Sequence, residues 1–385
     1  MARKKTAEGE EEEKPRPAAP PPGNKTILVG VFGRELSRAA AEDHLDELER
    51  LVDTAGGVVV ARALQERATR DAATFVGKGK VKELAEAAAN LGASTVVFDD
   101  ELTPSQIKNL EKELPAAVVD RPQVILQIFA SRARSREAMT QVELARLQYA
   151  LPRLSGATTG LAQQRGGGMF RGGGGEKKLE LDRRKIRRRI SGLKEELARI
   201  EKSREVRRGG RRHVAVVALA GYTNAGKTTL FNKLTRSLEF AEDRLFATLD
   251  PRHARLLGVG GRGIVLVDTV GFLRKLPHDL VASFKSTLRE VEEADLVVHV
   301  VDASSPQAFE QQRVATEVLA ELGVPAGRIL LVANKTDLPG ARLPDAGALP
   351  ISAATGEGLP ELKEAIVARL ESLGVTIPAA LGSGL

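Results

Sequence analysis

Gly221-Tyr222-Thr223-Asn224-Ala225-Gly226-Lys227-Thr228 has the spacing G-x-x-x-x-G-K-[ST], and Asn334-Lys335-Thr336-Asp337 follows about a hundred residues later. The first string can cradle nucleotide phosphates. Its small residues let successive backbone N–H groups wrap a β-phosphate at the positive end of the following helix. Lys227 can reach the β- and γ-phosphates, and the Thr228 hydroxyl can ligate Mg²⁺, with Thr229 next in the loop. The second string can read a guanine base: the Asp337 carboxylate accepts from N1–H and the N2 amine, which adenine cannot match, and the Lys335 stem can lie over the ring. Together the two strings point to binding and hydrolysis of GTP.

The intervening residues complete the set. His213 to Ala220 reads as a buried strand before the phosphate loop, and Thr229 to Leu234 opens a helix after it. Gly263 to Val267 is a second apolar strand, ending in Asp268-Thr269-Val270-Gly271. Asp268 can hold a Mg²⁺-bound water, and Gly271 can give its N–H to a γ-phosphate. Between them, Phe246-Ala247-Thr248-Leu249-Asp250 is read as a loop with Thr248 as a second Mg²⁺ ligand. Leu296 to Asp302 and Arg328 to Ala333 are further strands, the latter delivering Asn334. Leu349 to Ala353 adds a short strand and a loop, Ser352-Ala353-Ala354, whose Ala353 N–H can bind guanine O6. The place after Gly271, where related enzymes carry a Gln that orients the attacking water, is Phe272. No general base can be named, and hydrolysis is expected to be slow alone and completed in trans. Asn224 is compatible with a K⁺ ion beside the β/γ bridge; a plain loop Asn bonding to backbone is the alternative.

The elements that position these groups occupy a chain of 385 residues with 42% hydrophobic and 28% charged residues, enough for two or three globular domains. There is no cysteine, which excludes a disulfide framework and a Cys-based metal site, and the 3% aromatic content argues against an aromatic base-stacking platform. No stretch has the length of a membrane span and the charged start is unlike a signal peptide, so a cytoplasmic protein is expected, with association at the membrane periphery allowed. The net charge of +7 is concentrated: Arg171 to Arg212 holds 17 Lys and Arg against 7 Asp and Glu, a balance of +10 that leaves the rest at −3.

Residues 1–25 contain a Glu run and Pro/Ala repeats and are expected to be a disordered tail. Residues 26–120 alternate strands (26–32, 58–61, 95–98) with helices, the mark of a small α/β domain. Residues 121–212 are read as a long antiparallel helical hairpin. Its second helix carries Leu179, Ile186, Leu193 and Ile200 at sevens with Ile190 and Leu197 between, a coiled-coil seam. The connecting loop, 156–175, has nine glycines in twenty residues together with Arg165 and Arg171. Glycines allow close backbone approach and arginines bind phosphate, so the tip is read as a probe of folded RNA rather than a linker. Arg183, Arg184, Arg187 and Arg188 are dense enough to require an anionic partner. Residues 213–371 form a Ras-like, doubly wound P-loop domain, and 372–385 a short tail, the fold ending near Leu370.

Several strings resemble the HflX family of ribosome-associated GTPases over about Val52 to Leu370: Thr54-Ala55-Gly56, Phe75-Val76-Gly77-Lys78-Gly79-Lys80, the run Asp120-Arg121 to Arg134, and Gln141-Val142-Glu143-Leu144-Ala145. Leu151-Pro152-Arg153-Leu154, Gly174-Gly175-Glu176 to Arg184, and Asp268 to Phe272 running on through Leu276-Pro277-His278 add to the resemblance. It implies a monomer that binds GTP and GDP and the large (50S) ribosomal subunit with its rRNA. It further implies a hairpin loop inserted near the peptidyl-transferase centre and splitting of stalled ribosomes under stress, with turnover activated by ribosomes. Rival readings from the residues are a ribosome-maturation or tRNA-related GTPase, and a GTP-dependent RNA-binding assembly factor. Some family members carry a further small domain after the G domain, and contacts made by it are not expected here.

Overall fold

A computed structural model describes residues 23–34, 36–154, 173–209, 214–237, 245–246, 248–275 and 285–379. The start of the N-terminal tail, most of the Gly-rich tip with Arg165 and Arg171, Ala247, and Leu276-Pro277-His278 lie outside the described residues.

The N-terminal part is a four-stranded parallel sheet in the order β2-β1-β3-β4, made of β1 (Lys25–Phe32), β2 (Val58–Glu66), β3 (Thr95–Phe98) and β4 (Ala117–Asp120). Strand β2 runs well past the expected end at Ala61, following β1 to its last residue. Its helices begin where side chains satisfy the first unpaired N–H groups. Ser37 caps α1 (Arg38–Thr54), accepting from Ala40 N at 3.1 Å. Thr103 and Gln106 form a capping box on α3 (Pro104–Glu113), while α2 (Lys78–Leu91) starts at Gly77 and stops at left-handed Gly92. Leu45, Leu48, Leu51 and Val52 line one face of α1 and are buried, as their spacing predicts.

The stretch expected as one helix from Arg121 is two. Asp120 caps α4 (Arg121–Arg132), whose Val124, Ile125, Ile128 and Phe129 pack into the core with α1. Ala133 turns extended, and Ser135 starts α5 (Arg136–Arg153), accepting from Ala138 N at 3.0 Å. The expected boundary at Arg121 therefore moves: α4 belongs with the sheet. Helix α5 lies beside α6 (Gly173–Gly209). Arg136 reaches Glu196 at 2.8 Å, and the Arg189 fork meets Glu143 with both bonds at 2.7 Å. As one number rises the other falls, so the two helices run antiparallel. On the expected seam Leu193 is buried, while Ile186, Ile190, Leu197 and Ile200 are half-buried.

The C-terminal part is a six-stranded sheet in the order β10-β9-β8-β5-β7-β6. Its strands are β5 (Ala215–Gly221), β6 (Arg252–Arg255), β7 (Ile264–Asp268), β8 (Leu296–Asp302), β9 (Ile329–Asn334) and β10 (Leu349–Pro350). All pairings are parallel except that of the edge strand β6 with β7. Helices α7 (Lys227–Thr235), α8 (Lys285–Glu292), α9 (Ala308–Glu321) and α10 (Leu359–Ser372) flank it. Residues past Leu370 are more than a tail: Gly263 N donates to Pro378 O at 2.7 Å, and Val375 and Ile377 pack against the buried cluster under α7 and α10.

Period-two burial splits the sheet between two cores. Ala215, Val217 and Leu219 face α7 and α10, whereas Ala218 and Ala220 face a cluster that runs without a break into Leu48, Val52 and Phe129 of the N-terminal part. The two α/β units thus share one apolar core. Among the described residues no helix is long and apolar enough to cross a membrane.

Candidate nucleotide site and its surroundings

The phosphate loop follows β5 and opens α7, with backbone that only its glycines tolerate. At Gly221 (φ 145°) a Cβ would lie 2.1 Å from Val300 O, and at Gly226 (φ 90°) it would lie 2.3 Å from Asn334 Nδ2. Asn224 takes φ 61° between them, the left-handed conformation that Asn accepts best among non-glycine residues. The loop therefore presents the α7 N-terminus, with Ala225 and Gly226 at its entry. Lys227 Nζ donates to Gly221 O at 3.1 Å and Tyr222 O at 2.8 Å, folding back along its own loop.

Burial pushes the Lys227 ammonium from 10.5 down to about 8, with Asp268 opposing the shift. A phosphate anion beside it favours the charged form. Nucleotide binding should then take up a proton above about pH 8, and affinity should fall as pH rises past that value. Titration calorimetry of GDP binding at pH 9, in buffers of different ionisation enthalpy, checks this; an observed heat independent of the buffer would refute it.

Thr228, Thr248 and Asp268 converge. Asp268 Oδ2 accepts from Thr228 Oγ1 at 2.8 Å and Thr248 Oγ1 at 2.9 Å, and the two hydroxyls are 3.0 Å apart. Asp268 Oδ1 is buried without a hydrogen-bond partner, and burial raises this carboxyl despite Lys227. Three hard oxygens and an unsatisfied buried acceptor fit Mg²⁺, directly on the hydroxyls and through water on Asp268.

The base-reading string follows β9. Asn334 is structural: its Nδ2 donates to Ala225 O at 2.8 Å and its Oδ1 accepts from Ala353 N at 2.9 Å, stitching the phosphate loop to the Ser352 loop. The Ala353 N–H expected on guanine O6 is donated to Asn334 Oδ1 in this structure. Lys335, at φ 63°, is held by Asp302 Oδ2 at 2.7 Å, and Thr336 Oγ1 donates to Ile351 O at 2.8 Å. The carboxylate of Asp337 is exposed, as is Ala354, while Ser352 is buried and accepts from Thr355 N through its hydroxyl.

Other residues of the expected set point elsewhere. Phe246, Leu249, Val270 and Phe272 are buried in the shared core, so any contact they make with nucleotide is through backbone. Phe246 stacks edge-on to Phe129, centroids 4.7 Å apart. Thr269 Oγ1 donates to Leu219 O at 2.6 Å. Asp250 faces the start of α5, where it accepts from Arg134 N and Ser135 N, both at 3.1 Å, and from the Ser135 hydroxyl. The Gly271 Cα is pressed on the phosphate loop, where a Cβ would come within 2.7 Å of Thr223 Cα. Next to it Phe272 N donates to Gly221 O at 2.9 Å and Thr223 N to Phe272 O at 2.8 Å.

A polar cluster beside this loop escaped the sequence reading. The Tyr222 hydroxyl donates to Glu47 of α1 and accepts from Arg274 N at 2.9 Å. Glu47 also meets Arg121 and, at 3.3 Å, Arg274 Nε. Arg121 reaches Asp99 at 2.7 Å, and Lys275 binds Asp99 and, at 2.9 Å, Asp100. Burial opposes the Arg121 charge, but Asp99 and Glu47 outweigh it and keep the guanidinium protonated.

Comparison with known proteins covers nearly the whole chain. A profile described as the N-terminal part of a GTP-binding GTPase matches residues 42–130, one for its middle region residues 132–211, and one for a 50S ribosome-binding GTPase residues 216–335. "GTPase HflX" of Lacrimispora saccharolytica is 50% identical over 345 residues, covering 88% of this chain and 81% of that protein. "GTPase HflX" of Escherichia coli is 42% identical over 358 residues, covering 90% and 83%. The crystal structure of SsGBP in complex with GDP is similar at 26% identity and TM-score 0.50, over 91% of this chain and 99% of that one.

Proposed function

The chain belongs to the HflX family of GTPases, and we propose that its GTP hydrolysis serves the large (50S) ribosomal subunit and that subunit's rRNA. The observation that carries this reading is the antiparallel pair α5/α6, tied at its base to Asp250 and bearing Arg183, Arg184, Arg187 and Arg188 along α6. A basic helix attached to the nucleotide site suits an anionic partner addressed according to nucleotide state. The profile described for 50S ribosome-binding GTPases supports the choice of that partner. Mg²⁺ serves at Thr228 and Thr248, with Asp268 through water, and K⁺ at Asn224. In this reading the protein acts in the cytoplasm as a monomer and separates stalled ribosomes into subunits under stress.

Sucrose gradients test it. Large subunits should carry the protein with GTP or a non-hydrolysable analogue and release it with GDP, and intact ribosomes mixed with protein and GTP should shift to subunit peaks. Sedimentation at the top of the gradient with every nucleotide would overturn the reading. In the same assay, replacing Arg183, Arg184, Arg187 and Arg188 by Ala should weaken subunit binding. It should also flatten the salt dependence, by roughly one unit of slope for each phosphate that is no longer neutralised. An unchanged slope would remove these arginines from the interface.

A further inference from the structure

We propose that Glu47 and the hydroxyl of Tyr222 are positioning residues for GTP hydrolysis, through which the N-terminal α/β unit sets the phosphate loop and the segment after Gly271. Tyr222 belongs to both machineries. Its carbonyl accepts from Lys227 Nζ at 2.8 Å, so a shift of Tyr222 moves the ammonium that must meet the phosphates. Its hydroxyl accepts the backbone N–H of Arg274 at 2.9 Å, three residues beyond the glycine that addresses the γ-phosphate.

The hydroxyl has one proton, and Glu47 takes it. That fixes the direction of the relay: carboxylate accepting from phenol, phenol accepting from the Arg274 N–H. Burial and the Glu47 charge push the phenol up, away from ionisation, so it remains a donor at every working pH. Glu47 in turn cannot wander, because it lies in the interior with Arg121, itself anchored on Asp99. Arg274 Nε closes the ring on Glu47 at 3.3 Å, and Lys275 ties the next residue to Asp99 and Asp100. Those two carboxylates follow β3, at the carboxyl ends of the strands where the order β2-β1-β3-β4 changes direction. Open parallel sheets present their binding crevice there. In this chain the crevice receives the G domain's own Lys275.

The consequence for catalysis follows from Phe272. Its ring is in the core and orients no water, so the backbone of this segment must be placed by other groups. Phe272 is bonded to the loop on both sides, and the phenol supplies the next fixed point at Arg274. The inference concerns hydrolysis by the chain itself and is measured without ribosomes, so it stands or falls apart from the subunit reading.

The test is single-turnover GTP hydrolysis by the full-length protein, with GTP and GDP dissociation constants measured in parallel. Tyr222→Phe keeps the buried ring and removes the relay. Its rate should fall roughly tenfold while both dissociation constants stay within about threefold, the split expected when alignment rather than binding is impaired. Hydrogen exchange in residues 269–275 with a GTP analogue bound should rise. Glu47→Gln should lower the rate in the same sense, and the loss in the double variant should fall short of the product of the two single losses, since both residues act on Arg274 in one ring. An unchanged rate in Tyr222→Phe, losses that multiply in the double variant, or rate and both affinities falling together with thermal stability would each overturn the assignment.

Discussion

Large ribosomal subunits should raise single-turnover GTP hydrolysis by this protein by about a thousandfold, the lower end of what a group supplied in trans contributes to such enzymes. The expectation rests on Phe272. Its side chain is 1% exposed and shares a core with Phe246, Leu249 and Phe129, so it cannot turn toward an attacking water without opening that core. Its backbone is bonded to Gly221 and Thr223, which leaves the segment little freedom to bring a neighbour into its place. Quenched-flow measurements with and without purified large subunits decide the matter. Rapid hydrolysis by the isolated protein, unaffected by subunits, would mean that the chain carries its own water-orienting group.

The second large effect is a change of base. Asp337→Asn should weaken GTP and GDP binding by about five- to 150-fold, corresponding to about 1–3 kcal/mol for a broken donor–acceptor match, and should favour xanthine nucleotides. In this reading the carboxylate would accept from two donors on guanine. An amide keeps one acceptor and turns a donor toward the second, which matches the O2 of xanthine instead. The frame around it should hold, because Asn334 ties the phosphate loop to the Ser352 loop and Lys335 is braced by Asp302, all independent of Asp337. Equal affinity of the variant for GTP and XTP, both unchanged from the parent, would move base recognition away from Asp337.

What the chain makes legible is chemistry that is local along it. The phosphate loop follows a strand, and Asp268 and Asn334 end one, so strand and candidate residue are recognised together, and the structure brings Thr228, Thr248 and Asp268 within hydrogen-bond distance. Strand β6 is not anticipated because Arg-His-Ala-Arg lacks apolar alternation, and it forms by pairing with β7 at the edge. Helices α4 and α5 look continuous because the break falls in Ser-Arg-Ala-Arg-Ser, where no Gly or Pro marks it. Glu47, Asp99 and Arg274 carry no pattern, and Arg121, though it stands in one of the family strings, shows nothing there of its partners. The four come from an amphipathic helix, a strand end, a helix start and a loop, and what unites them is the docking of one α/β unit on the other.

Asp250 gives the helix pair a fulcrum. It grips the two residues that lead into α5 through Arg134 N and Ser135 N, and it is two residues from Thr248 at the magnesium-fitting hydroxyls. Helix α5 has 18 residues, a lever of about 27 Å at 1.5 Å per residue, so a tilt of about 10° at the pivot carries its far end roughly 5 Å. A tilt of that size about Asp250 would carry the far end by nearly one helical turn of about 5.4 Å.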